Sequence, residues 1–186
     1  MSIISRMAVS KDLSPEYALL GLVAQRPAHG YELHQRLTDE LGFVWRISQS
    51  QTYAALSRLE HKGDIASSEV QQEKLPARYL YRISAAGKTR FSAWLFTPSA
   101  PSPRAINLEF TTRLYFAAAA HPAQVEGLIE AQANVVRERA LGLHRSLDAL
   151  DPAENFHRLA LSLRIGQLES ILTWLDGCPD LLKDDR

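Results

Sequence analysis

A seven-residue segment, Thr97-Pro98-Ser99-Ala100-Pro101-Ser102-Pro103, constrains this chain more than any other. Its three prolines fix φ and remove three backbone donors, so the segment predicts an extended linker rather than a helix or a paired strand. The 186 residues must then build two cores, one within 13–96 and one within 104–178, flanked by a flexible arm (1–12) and a tail (179–186). Composition allows both: with 46% hydrophobic and 23% charged residues the chain has enough to bury and too little net charge to stay unfolded.

Before the linker, Ser14-Pro15-Glu16 predicts a helix start, with Ser as N-cap, Pro at the first helical position and Glu in the positively polarised first turn. Leu19, Leu22 and Val23 then share a face, and the helix should stop near Pro27. A second helix opens around Gly30, with Tyr31, Leu33, Leu37 and Leu41 as its apolar stripe and Gly42 at its end. A third runs from Ser48 to Lys62, turns Tyr53, Leu56 and Leu59 inward, and is capped by Gly63. Two short runs, Ile65 to Val70 and Tyr79 to Ile83, predict a two-stranded ribbon, and Ser84 opens a fourth helix with Phe91, Trp94 and Leu95 on its apolar side. Three short helices followed by a hairpin is the order of a winged helix-turn-helix.

After the linker the pattern is helical throughout, over roughly 105–120, 122–150 and 153–175, with Pro122 and Pro152 at helix starts. The fold class is therefore mainly α: an α+β winged helix-turn-helix followed by an antiparallel helical domain. The last helix carries two apolar stripes, Phe156/Leu159/Leu163 and Leu161/Ile165/Leu168/Leu172/Leu175. A helix of a small domain cannot bury both within its own subunit, so a second copy of the chain is the expected partner, with Leu161, Ile165, Leu168 and Leu172 assigned to the interface.

The formal net charge is zero, but its distribution is uneven. Residues 1–98 carry 12 Lys and Arg against 9 Asp and Glu, and residues 99–186 carry 9 against 12, so contact with a polyanion belongs to the first half. The lone Cys178 excludes a disulfide framework and a thiolate zinc site, and fits a reducing compartment. The first residues lack the apolar core of a signal peptide, and the longest apolar stretch, Leu114 to Ala120, is too short to span a bilayer, so no membrane role and a cytoplasmic location are expected. The six histidines are scattered, with no HExxH pair, no GxSxG elbow and no phosphate-binding glycine loop, so no catalytic residue, metal or cofactor is assigned.

The run Ser48, Gln49, Ser50, Gln51 and Thr52 places short hydrogen-bonding side chains at the positive end of the third helix, as a helix entering a major groove needs. Ser and Thr also simply cap helices, and that reading stays open. Arg58 adds a cation two turns on, while Tyr53 fits packing better than base contact. The hairpin tip offers Lys74 and Arg78 to a phosphate backbone, or else is a solvated turn. Trp45, Phe91, Trp94 and Phe110 are candidates for an aromatic effector pocket, although aromatics at helical spacing are more often core. A winged helix used only for protein interaction remains the alternative.

In order along the chain stand Leu13-Ser-Pro-Glu-Tyr-Ala-Leu-Leu-Gly-Leu22, His29-Gly-Tyr-Glu-Leu33, Ser50-Gln-Thr-Tyr-Ala-Ala-Leu-Ser-Arg-Leu-Glu60 with Gly63, Pro76-Ala-Arg78, Tyr81-Arg-Ile-Ser-Ala-Ala-Gly87 and Trp94-Leu95. This set resembles the PadR family of bacterial transcriptional regulators, and Glu109 to Phe116 resembles the start of the helical C-terminal domain of its longer members. The resemblance implies a homodimer on double-stranded DNA with a palindromic operator, repression of nearby genes, and release by a small phenolic, aromatic or lipophilic effector. Carried over, the recognition helix is Ser48 to Lys62 and the wing contacts are Lys74 and Arg78. Two departures stand out: Tyr79 occupies a position where a basic residue is common, and the first turns of the recognition helix lack Lys and Arg.

Overall fold

The structure, a computed structural model, describes residues 13–72 and 75–182, and of residues 70–72, 75–77 and 181 the backbone only. The arm 1–12, Lys74 and the last four residues of the tail lie outside the described residues. The chain divides after Thr97 into two compact units.

In the first unit the order is α1 (Glu16–Gln25), β1 (Ala28–His29), α2 (Gly30–Leu41), α3 (Gln49–His61), β2 (Ile65–Gln72), β3 (Leu75–Ile83) and α4 (Ala85–Leu95). The Ser14 hydroxyl accepts the Glu16 N–H at 3.4 Å, and the helix starts one residue later than Pro15 predicts. Spacing predicts one apolar face on α1; instead Ala18, Leu19, Leu20 and Leu22 are all fully buried. The reason is topological, because α1 packs against α2, α3, α4 and β3 together. On α2, Leu33, Leu37 and Leu41 face the core as spaced, but Tyr31 at the open end of the helix is 62% exposed.

Strand β1 has no counterpart in the sequence pattern. Its two residues pair antiparallel with Tyr81 and Leu80 of β3, giving a three-stranded sheet of order β1-β3-β2 in place of a two-stranded ribbon. Two residues between a proline and a helix carry no alternation to detect. The β2–β3 ladder also exceeds its apolar core, running from Ile65↔Ile83 to Gln72↔Leu75. Gly63 ends α3 in the left-handed region at φ 73°, as its position predicts. Ser84 then ties the start of α4 to this turn: its hydroxyl accepts the Gly87 N–H at 2.9 Å and donates to Gly63 O at 2.6 Å. A Cβ on Gly87 would lie 2.0 Å from Asp64 O, so only glycine lets the two backbones approach this closely.

The second unit opens inside the predicted linker. Pro103 is the first residue of α5 (Pro103–Ala105), which continues through a π-helical turn (Ile106–Phe110) into α6 (Thr111–Ala120). Ser99, expected in the linker, is 2% exposed. Its backbone N–H donates to Gln132 Oε1 at 2.6 Å, Gln132 Nε2 donates to its carbonyl at 3.1 Å, and its hydroxyl accepts from Arg113. Such a polar network is tolerated inside because its main groups are paired. After the 3-10 turn Pro122–Gln124 come α7 (Val125–Asp148) and α8 (Asn155–Leu181), packed as an antiparallel hairpin. Pro152 lies in the connecting turn rather than at the helix start, and α8 runs through Pro179 to Leu181, beyond its expected end. A proline in a last turn removes only one intrahelical bond, and the buried Leu175 and Cys178 hold that turn to the unit.

Candidate nucleic-acid interface

The start of α3 is built by its own polar run. Ser48 is the N-cap: its hydroxyl accepts the Gln51 N–H at 3.3 Å while Gln51 Oε1 accepts the Ser48 N–H at 2.8 Å, a complete capping box. Thr52 is fully buried, donates to Ser48 O at 3.2 Å and lies 2.9 Å from His34 Nδ1. Capping therefore engages Ser48 and Gln51, and Thr52 is turned away from any groove, which corrects its assignment to a DNA contact. Gln49 and Ser50 are exposed and have no intramolecular side-chain partner among the described residues.

Tyr53 is expected to turn inward with Leu56 and Leu59; those two are fully buried, but Tyr53 is 41% exposed. Its ring lies over the start of α2, where a Cβ on Gly30 would come within 2.5 Å of it. Glycine at position 30 is thus the space into which Tyr53 leans. The ring forms one wall of a cleft of about 550 Å³, whose other walls come from the first turn of α2 and from β3.

Four tyrosines line this cleft: Tyr31, Tyr53, Tyr79 and Tyr81, together with His29, Glu32 and Arg78. His29 Nδ1 donates to Tyr79 O at 3.1 Å and so fastens β1 to β3 beneath the cleft. Tyr81 is buried there, and burial, with the nearby Glu60 charge, pushes its phenol above the ordinary value, keeping it neutral. Glu32 is paired with Arg26 at 2.9 Å, whereas Arg78 is exposed and has no acidic partner among the described residues. No side chain caps the first N–H groups of α2, which open at this edge. One unpaired guanidinium, phenolic hydroxyls and a positive helix end make a surface suited to an anionic oxygen.

Arg58 sits elsewhere. Its Nε donates to Glu16 Oε1 at 2.8 Å, and Lys62 Nζ donates to Glu16 Oε2 at 2.6 Å. Glu16, expected as a helix-dipole residue, is a buried carboxylate; burial pushes its pKa up, the hydrogen bonds from Lys62 and Arg58 pull it down, and the net shift is downward.

The remaining assignments fall inside the two cores. Trp45 and Trp94 are buried in the first unit, Trp94 stacked on Tyr17 at 4.5 Å with Phe91 beside it at 5.8 Å. Phe110 belongs to the second unit, fully buried with Trp174 edge-on at 6.2 Å. On α8, Ile165 and Leu168 are buried within the chain on the face that packs against α7, and Leu161 and Leu172 are half-buried. The exposed stripe is the other one, Phe156, Leu159 and Leu163, at 77%, 68% and 64%. Two apolar stripes are legible in the sequence, but Ile165 and Leu168 of the stripe assigned to the interface are buried within the subunit, because spacing does not say where α7 lies.

His29, Tyr31 and Tyr79 join the site although the sequence assigns none of them a contact: His29 and Tyr31 stand there within the His29–Leu33 motif, and Tyr79 as a departure from the family pattern. His29 and Tyr79 stand 50 positions apart in the chain, and β1 brings them together.

Residues 19–93 match the model of the transcriptional regulator PadR-like family. The chain is 26% identical over 190 residues to the probable transcriptional regulator Rv1176c of Mycobacterium tuberculosis, covering 91% of this chain and 98% of that one. It is 25% identical to the negative transcriptional regulator PadR of Bacillus subtilis, with the same coverage of 91% and 98%. Bacillus subtilis PadR in complex with operator DNA is similar over 90% of this chain and 98% of that one, at 24% identity and a TM-score of 0.45. The same protein in complex with p-coumaric acid is similar over 91% and 98%, at 23% and 0.40. The chain is thus similar to the PadR-like family of transcriptional regulators across residues 19–93, within its winged-helix unit, and to two transcriptional regulators over 91% of its length.

Proposed function

We propose that the chain acts in the cytoplasm as a homodimeric repressor on a palindromic operator. The observation that carries this reading is the pairing of an α3 start, where Gln49 and Ser50 are exposed, with an adjoining cleft that holds Arg78, none of the three having a side-chain partner among the described residues. The first supplies hydrogen bonds for base edges and the second takes a backbone phosphate, which fixes register without reading sequence. Tyr31 and Tyr79 are added to a contact set in which the sequence already places Tyr53 and Lys74, the latter outside the described residues. No helix among the described residues is long and apolar enough to cross a membrane.

The second copy covers the Phe156/Leu159/Leu163 stripe, each covered side chain contributing about 2 kcal/mol. Two recognition helices about 34 Å apart then meet successive major grooves on one side of the duplex. A small phenolic or lipophilic effector that favours another spacing lowers operator affinity without touching a DNA contact. That the similar negative transcriptional regulator PadR of Bacillus subtilis is solved in complex with operator DNA and in complex with p-coumaric acid supports the choice of these two partner classes.

The test is fluorescence anisotropy with the full chain on a duplex from its own upstream region, against random DNA, at two salt concentrations. Saturable binding about 10³-fold tighter than to random DNA, weakening as salt rises, is the expected result. Equal affinity for both duplexes contradicts operator recognition and favours a winged helix used for protein interaction. Addition of p-coumaric acid should then lower operator affinity.

A further inference from the structure

The recognition helix carries only two Lys or Arg residues, Arg58 and Lys62, and both end on one carboxylate. Glu16 accepts Arg58 Nε at 2.8 Å and Lys62 Nζ at 2.6 Å. The exposures are unequal: the Glu16 side chain is 7% exposed, against 50% for Arg58 and 46% for Lys62. The cations have room to swing toward a polyanion, but the anion cannot follow, and a departing cation would leave a buried carboxylate short of its counter-charge. A third cation does not replace them. Arg90 stands 3.6 Å from Glu16 Oε2, but it is bonded to the buried Asp64 and lies over the Tyr17 ring at 5.0 Å.

We propose that Glu16 is a specificity-determining residue that withholds Arg58 and Lys62 from the phosphate backbone, so that α3 meets DNA through uncharged side chains. Phosphate contacts strengthen binding to every sequence alike, whereas base-edge hydrogen bonds discriminate. Withdrawing two cations per subunit lowers the affinity for bulk DNA and leaves the Gln49 and Ser50 end of the helix unchanged, which raises the ratio of operator to random binding. The inference rests on the DNA-binding reading above and goes beyond it. It concerns the two cations of the recognition helix, of which the sequence reading offers Arg58 to DNA, and which the fold holds on Glu16.

Salt dependence tests it directly. For full-length wild type and the variants Arg58→Gln, Lys62→Gln and Glu16→Gln, the slope of log affinity against log salt is measured on random duplex DNA, and operator affinity alongside. The slope shifts by about 0.9 for each phosphate that a protein cation neutralises. Arg58→Gln and Lys62→Gln should each leave the slope within about 0.3 of wild type, because these charges touch no phosphate. Glu16→Gln should steepen it by about 1 or more and shrink the operator-to-random ratio about tenfold. A slope that flattens by about 0.9 in Arg58→Gln or Lys62→Gln overturns the proposal. So does a folded Glu16→Gln protein with the wild-type slope. If Glu16→Gln fails to fold by circular dichroism, the two exposed variants decide alone, unchanged slopes supporting the proposal. Failure of the DNA-binding reading itself is seen separately, as wild type binding operator and random DNA equally.

Discussion

The two units solve opposite packing problems. The winged-helix unit closes its apolar core, with the leucines of α1 to α3 at 1% exposure or less, except for Leu41 at its edge, and presents a polar and aromatic cleft to solvent. The helical unit does the reverse. It buries Ser99, Glu109, Arg113 and Gln132 and leaves three large apolar side chains of one α8 stripe outside. The first unit thus closes its core and opens a polar cleft, while the second leaves an apolar stripe that, in the function proposed above, a second copy covers. In that proposed function the tasks divide the same way: one unit reads DNA, and the other fixes how many copies read together.

The largest effect that can break this comparison is on the outer stripe of α8. Leu159→Glu combined with Leu163→Glu should convert the dimer to monomer in sedimentation at micromolar concentration and lower operator affinity by at least about 10²-fold, while the thermal transition of each unit persists. Retention of the dimer would show that some other surface joins the copies. Next in size is Gln132→Ala, which leaves the Ser99 backbone groups unpaired inside the helical unit. A loss of about 2 kcal/mol in urea unfolding is expected, with no change in DNA affinity per dimer.

In the cleft, Arg78→Glu should weaken operator and random binding alike by about tenfold, and Tyr79→Phe by a few-fold, both read by anisotropy. A change confined to the operator would mean that the cleft reads bases rather than phosphate. The smallest effect concerns acid. Because Glu16 titrates below the ordinary carboxylate value in the folded state, its ionisation stabilises the fold above that value, and this contribution fades as pH falls through the lowered one. The stability of Glu16→Gln should therefore vary less with pH than that of wild type across that acidic window, and equal slopes would count against the ion pairs.

Much of the local structure is legible in the sequence because it rests on nearest neighbours. Ser48 and Ser84 as N-caps, Gly63 in the left-handed region and the 4,4 spacing of Leu33, Leu37 and Leu41 depend on contacts within a few residues. The candidate site is half legible. Its polar run is visible, but the same residues satisfy the helix end, and position along the chain does not say which demand each side chain meets. Ser48, Gln51 and Thr52 go to the helix; Gln49 and Ser50 do not. Cys178 follows the same division: its presence is plain, but only burial explains a thiol pushed up to about 11.

What the sequence by itself determined is the helical order, the break at the prolines, the hairpin and the presence of two apolar stripes on the last helix, since all of these are periodicities or local steric rules. Tertiary structure alone decided which stripe stays outside, which of the polar residues remain available, that β1 joins His29 to Tyr79 under a cleft, and that Arg58 and Lys62 end on Glu16. The physical reason is distance along the chain. Glu16 and Lys62 lie 46 residues apart and His29 and Tyr79 lie 50 apart, so these contacts are set by how the helices and strands pack and not by any local propensity.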